Sequence, residues 1–210
     1  MTIKYKEGTI KVIKEIAPVK CEAKKVREIA PVKCEAKEEW LKGHSFFGKE
    51  PMSLYFYTVD ALYTEYLRQF DNKVPMEHPE RHVRPYIGII LEVNDCKYFA
   101  PMSSAKEKHK KLQGKDIYKI ADGEYGVINF NNMIPVPEGA YHLLDFTNEN
   151  DAYKELLYNQ YRDIRQNASK ILKLARRLHG MYVHGHIPPG LGRRCCNFSL
   201  LENKCRLYTV

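Results

Sequence analysis

The sequence predicts an α+β domain, and three observations carry that reading. Runs of β-branched and aromatic residues crowd residues 53–146 and stop at Gly, Pro or Asn-Asp turns. Apolar residues recur every three and four positions along 151–178, with a shorter helical segment at 197–208. The two kinds of segment are segregated along the chain instead of alternating, which separates an α+β fold from a parallel βαβ one.

Taken in order, SLYFYTV at 53–59 is a strand by composition. Asp60 stands as a helix cap before Leu62, Tyr63, Tyr66, Leu67 and Phe70, which fall at helical spacing. A polar loop, DNKVPMEHPERHVR, leads to PYIGIILEV at 85–93. The Asn94-Asp95 pair then turns the chain into CKYFAPM at 96–102, a β-hairpin signature. SSAKEKHKKLQGK reads as a basic loop or short helix, EYGVINFNNMIPVP at 124–137 as strand, and AYHLLDF at 140–146 as one strand more. In 151–178 the positions Tyr153, Leu157, Tyr161, Ile164, Ala168, Ile171, Ala175 and Leu178 form one buried stripe, with a break expected near 167–169. Lys154, Arg162, Arg165, Lys170, Lys173 and Arg177 take the other positions, and Gly180 is the expected stop. HGHIPPGLGRR is a loop, and NFSLLENKCRLY at 197–208 is a closing helix.

Residues 1–51 have a different texture. The ten residues EIAPVKCEAK occur at 15–24 and again, letter for letter, at 28–37. Each copy carries an Ala-Pro, which breaks helices, and repeat folds need about three stacked units to bury a core. With so little to bury, the segment is expected to lie outside the folded domain at 52–210 and to be disordered.

The formal net charge is +8, with 15 tyrosines and 8 phenylalanines. That balance favours an anionic partner, and aromatics beside cations suit single-stranded RNA, whose bases stack while its phosphates pair. No run of 18 apolar residues argues for a membrane span, and the charged start has no apolar signal core, so the expected location is cytoplasmic. The six cysteines are then expected as free thiols.

Two constellations carry chemistry. The hairpin runs out into FAPMSSAKEKH, where Ser103 and Ser104 precede Lys106 and His109. Metal-free RNA cleavage needs a proton acceptor for the 2′-OH, a cation facing the phosphorane, and a proton for the leaving oxygen. Hydroxyls can position the phosphate, Lys106 supplies charge, and His109 titrates near neutrality. The second is His184 and His186 with Cys195, Cys196 and Cys205. Its spacing is not that of a structural zinc site, since CC is not CxxC, and packing of Cys196 and Cys205 around the last helix is the competing reading. No metal and no cofactor are expected. The carboxylates form no paired motif.

From Met52 on, the sequence resembles the ToxN/AbiQ family of type III toxin–antitoxin toxins. The resemblance rests on FYTV, YLRQFDNKVP, RPYIGIILEVNDCKYFAPMSSAK, GVINFNNMIPVP, LLDF, LLYNQYRDIRQN and CNFSLLENK, in that order. It implies a twisted antiparallel sheet flanked by helices, similar to MazF/Kid-type toxins. It also implies a sequence-selective, metal-independent endoribonuclease that leaves 2′,3′-cyclic phosphate ends and acts in phage defence by abortive infection. The implied partners are a pseudoknot-like repeat RNA antitoxin in a higher-order assembly and a cellular or phage mRNA substrate. The family's active-site motif falls on Ser103, Ser104 and Lys106, its first-helix tyrosine on Tyr63, and a histidine found in some relatives on His109. The basic residue before the strand falls on Arg84, and groove residues of the long helix on Tyr158, Gln160 and Tyr161; Arg165 on the basic side is a further expected RNA contact. The alternative function is an RNA-binding regulator without activity.

The family pattern has no place for residues 1–51, and type III antitoxins are repeat RNAs encoded just upstream of the toxin. The repeat period of thirteen residues is 39 nucleotides. Glu38-Glu39-Trp40 and His44-Ser45-Phe46-Phe47 permit complementary codons followed by a run of T, a terminator hairpin, and Gly48-Lys49-Glu50 permits a ribosome-binding sequence before Met52. The expectation is an antitoxin locus read in frame, with the toxin starting at Met52.

Overall fold

Asn94 and Asp95 both take positive φ, 49° and 63°, and so form the tight turn that the dipeptide predicts. They join β2 (Tyr86–Val93) to β3 (Cys96–Ser103), paired antiparallel from Val93↔Cys96 to Tyr86↔Pro101. This hairpin is the centre of the computed structural model, which describes residues 54–77, 83–111 and 114–209. The expectations for residues 1–51 lie outside the described residues.

β1 (Tyr55–Val59) lies antiparallel on the free edge of β2, and β7 (Tyr141–Leu143) on β1. The other edge of β3 is shared. Its start pairs with β6 (Ile134–Val136), and its end with β5 (Val127–Asn129), which pairs in turn with β4 (Ile117–Lys119). The sheet order is β4-β5-β3-β2-β1-β7 with β6 beside β3, antiparallel throughout. The stretch 124–137 is therefore two short strands, divided by a 3₁₀ turn at Phe130–Asn132.

Helix α1 (Ala61–Arg68) starts at Asp60, whose side chain makes no capping hydrogen bond. Its core face is Tyr63, Thr64 and Leu67, while Leu62 is 75% exposed, so the apolar set expected from spacing is narrower in the fold. A short helix α2 (Glu107–Lys111) follows β3. The predicted break divides the long helical segment into α3 (Asp151–Gln166) and α4 (Ala168–Val183) at Asn167. Gly180 does not stop α4, which runs one more turn to Val183 before Gly185 takes positive φ. The Pro/Gly loop contains one helical turn, α5 (Pro189–Gly192), and α6 (Phe198–Leu207) closes the fold with Asn197 accepting from Leu200 N–H as its cap.

The core lies between the sheet and these helices, built on Tyr86, Ile87, Tyr98, Phe99, Ile128 and Phe198, each essentially inaccessible. Each such large apolar side chain contributes about 1.5–3 kcal/mol on burial. A polar cluster interrupts it. Glu202 on α6 accepts from the Tyr98 hydroxyl (2.7 Å) and pairs with His179 Nε2 on α4 (2.7 Å), which locks both helices to β3. Among the described residues no helix is long and apolar enough to cross a membrane.

Candidate active site

The hairpin register decides where the SSAK segment emerges. Pro101 lies opposite Tyr86, and Met102 N–H donates to Pro85 O (2.9 Å), so the chain just before β2 sits beside the end of β3. Ser103 lies opposite Val127, and Asn129 Nδ2 donates to its Oγ (2.9 Å). Gly126 makes this approach possible. Its φ is +108°, and a Cβ there would stand 2.3 Å from Ser103 O, so only glycine fits. Past Ser103 the chain leaves the sheet, and Ser104 and Lys106 are exposed.

These residues border a cleft of about 360 Å³. Ser103, Ser104 and Lys106 form one wall, Arg84 and Glu77 come from the segment ahead of β2, and Gln160 comes from α3. Two bonds seat α3 against this region: Tyr118 hydroxyl donates to Asp163 Oδ2 (2.7 Å), and Gln160 Nε2 donates to Tyr125 O (2.7 Å). The second bond fixes the amide, and Gln160 Oε1 is left buried without a hydrogen-bond partner. Glu77 Oε1 accepts from the Tyr86 hydroxyl (2.8 Å) and lies 3.5 Å from Arg84 Nε. Among the described residues, two cations, two serine hydroxyls, the Tyr153 phenol, one carboxylate and the Gln160 side chain thus border one concavity. That set can hold a phosphodiester, offset its charge and exchange a proton with it.

The fold does not gather every residue expected at the site. Tyr63 is fully buried in α1, its hydroxyl donating to Pro135 O (2.6 Å) and its ring packed edge-on against Tyr208. Burial pushes its pKa far up, and it does not border the cleft; its apolar helix face made it a core residue. His109 is also turned inward, 5% exposed, and is absent from the cleft wall. Tyr161 packs edge-on against Phe56, outside the cleft lining, while Tyr158 is half-buried and Arg165 exposed on α3. His184 and His186 are exposed, whereas Cys195, Cys196 and Cys205 are buried free thiols, so burial separates the two halves of the zinc reading. Glu77 was not legible in the sequence, because one carboxylate in a polar loop has no motif.

The His109 ring has a consequence for stability. Burial first, then Lys108 and Lys106, lower its pKa below the ordinary 6.5, against a hydrogen bond to the Ser104 backbone. The unfolded chain therefore binds the proton more readily, and stability falls as pH drops below about 6.5. His109→Gln removes that part of the slope; urea melts of both proteins between pH 5 and pH 8 check it.

A family model described as toxin ToxN of type III toxin–antitoxin systems matches residues 55–206. The chain belongs to the ToxN family. Endoribonuclease ToxN of Pectobacterium atrosepticum is 37% identical over 161 residues, covering 72% of this chain and 91% of that protein. Endoribonuclease AbiQ of Lactococcus lactis subsp. lactis is 32% identical over 185 residues, 79% and 96% of the two chains. Among solved structures, one described as "A processed non-coding RNA regulates a bacterial antiviral system" matches with TM-score 0.66 and 36% identity, over 74% of this chain and 99% of that one. AbiQ, described as a lactococcal anti-phage endoribonuclease of the type III class, matches with TM-score 0.66 and 26% identity, over 74% and 98%. The enzyme class of this ToxN family member is that of its curated relatives, endoribonuclease.

Proposed function

We propose that this chain cleaves single-stranded RNA at the SSAK cleft, without a metal ion, by attack of the 2′-OH on the adjacent phosphate. The observation that carries the reading is the meeting of Ser103, Ser104, Lys106 and Arg84 around one cavity. The hydroxyls hold the phosphate, Arg84 anchors it, and Lys106 faces the charge that grows on the phosphorane. The products are a 2′,3′-cyclic phosphate and a free 5′-hydroxyl. His109 is buried and off the described cleft wall, and this reading gives it no proton-transfer step.

A relative's structure is described as selective toxin inhibition by a non-coding RNA pseudoknot. On that basis the inhibitor of this chain is a repeat RNA that covers the same cleft and the exposed basic side of α3 and α4, where Arg165, Lys170, Lys173 and Arg177 lie. The enzyme is cytoplasmic, acts on cellular or phage mRNA, and serves phage defence. Residues 1–51 are the antitoxin locus read in frame, with the toxin beginning at Met52. What supports this is the exact repeat together with a family match that begins at residue 55.

The test is cleavage of single-stranded RNA by the full chain and by a chain beginning at Met52, both in EDTA. Both are expected to cut and to leave cyclic phosphate ends, read by mass spectrometry. Cleavage only with added divalent metal removes the mechanism, and an inactive shorter chain removes the assignment of residues 1–51.

A further inference from the structure

We infer that Glu77 takes the 2′-hydroxyl proton in this reaction. The inference rests on the nuclease reading of the cleft and supplies the proton acceptor that reading lacks. Among the described lining residues, the ionisable groups are Glu77, Arg84, Lys106 and Tyr153. Lysine and arginine carry their protons at neutral pH and serve as cations, not bases. Burial pushes Tyr153 above the ordinary tyrosine range, so it too keeps its proton. The His109 ring is not at the wall. Among the described lining residues, Glu77 is the one remaining group with a free electron pair suited to the task.

Its setting also fits a base better than a phosphate ligand. A carboxylate in a cleft built to hold a phosphodiester repels the substrate, so its presence there calls for a chemical role. Among the described residues its polar contacts fall on Oε1: the Tyr86 hydroxyl at 2.8 Å and Arg84 Nε at 3.5 Å. They fix the carboxylate's orientation, and neither uses Oε2. Tyr86 itself is fully buried in β2 and cannot swing away, so the carboxylate is held from the rigid sheet although Glu77 lies on a loop.

In the step proposed, Glu77 Oε2 removes the proton from the 2′-OH as its oxygen forms a bond to phosphorus. The phosphorane then loses its 5′-oxygen, which keeps the electron pair of the broken P–O bond and takes a proton from water. The hydroxide so formed receives the proton from Glu77, and the carboxylate is regenerated.

Glu77→Gln keeps an acceptor for Tyr86 and removes the base. It is expected to lower kcat/KM by roughly 10²–10⁴-fold and to abolish the acid limb of the pH–rate profile. The loss should persist on an RNA whose scissile 5′-oxygen is replaced by sulfur, because a better leaving group dispenses with an acid and still needs a base. Affinity for an RNA carrying a 2′-deoxy residue at the cut should stay within a few fold, since such a ligand has no proton to give. If Glu77→Gln melts below the assay temperature, Glu77→Ala with added acetate replaces it, and a rate that climbs with acetate concentration supports the base. An intact acid limb, a loss confined to the natural 5′-oxygen substrate, or activity within about threefold of wild type overturns the assignment. Lys106→Ala run alongside separates the two readings: a dead Lys106 variant beside a live Glu77 variant sinks only the base, whereas two fully active variants sink the cleft as the nuclease site.

Discussion

Lys106→Ala lowers kcat for RNA cleavage by roughly 10²–10³-fold, the cost of removing one preorganised charge stabiliser, and changes RNA affinity far less. The reason lies in when the ammonium meets its charge. The ground-state phosphodiester carries one negative charge spread over two oxygens, whereas the phosphorane carries more, so the interaction strengthens as the reaction proceeds. Lys106 is exposed at the cleft rim. The fold is therefore expected to melt as wild type does. Single-turnover kinetics paired with binding of 2′-deoxy RNA divide the effect into its two parts. Equal losses in binding and turnover make Lys106 a phosphate anchor, and an RNA-binding regulator without activity predicts no turnover to lose.

Gly126→Ala is expected to cost about 2–3 kcal/mol of stability and to reduce cleavage in the protein that remains folded. Two effects act together. The residue's φ of +108° is strained for any L side chain, and the new Cβ meets Ser103 O at 2.3 Å. The colliding atom belongs to the backbone, so relief requires β3 to move, and with it the Ser103–Ser104 step that borders the cleft. Gly180→Ala is the matched control. That glycine is inside α4 with nothing within 4 Å of an added Cβ, so the change should stabilise the helix by about 0.5–1 kcal/mol and leave activity alone. Urea melts and cleavage rates of the two variants give the comparison. Similar behaviour at both positions contradicts the account of Gly126.

These two residues mark what the sequence could convey. The hairpin was legible because Asn94-Asp95 is a turn chosen by local sterics, and the SSAK segment followed as whatever leaves its last strand. Helix α3 was legible because its stripe is long enough to beat chance spacing. β4 was not, since three residues, Ile117–Lys119, carry no period and take strand form only through pairing with β5. The side-chain directions were less legible still. Tyr63 and His109 stood near motif positions, yet each points into the interior, a fact set by packing across the sheet and absent from local spacing. Glu77 shows the converse. Its place in the cleft depends on a hydroxyl nine residues away and on the register of β2, which brings the loop ahead of that strand beside Ser103.

The cleft's role as the cutting site is tested most directly by the structure of the chain bound to a single-stranded RNA that carries a 2′-deoxy residue at the cut. The account predicts the uncut phosphate in the cleft, with its oxygens within about 3.2 Å of Lys106 Nζ and of a serine hydroxyl, and the adjacent 2′-carbon turned toward Glu77. A cut-site phosphate bound elsewhere on the chain, with the SSAK cleft vacant, would contradict it.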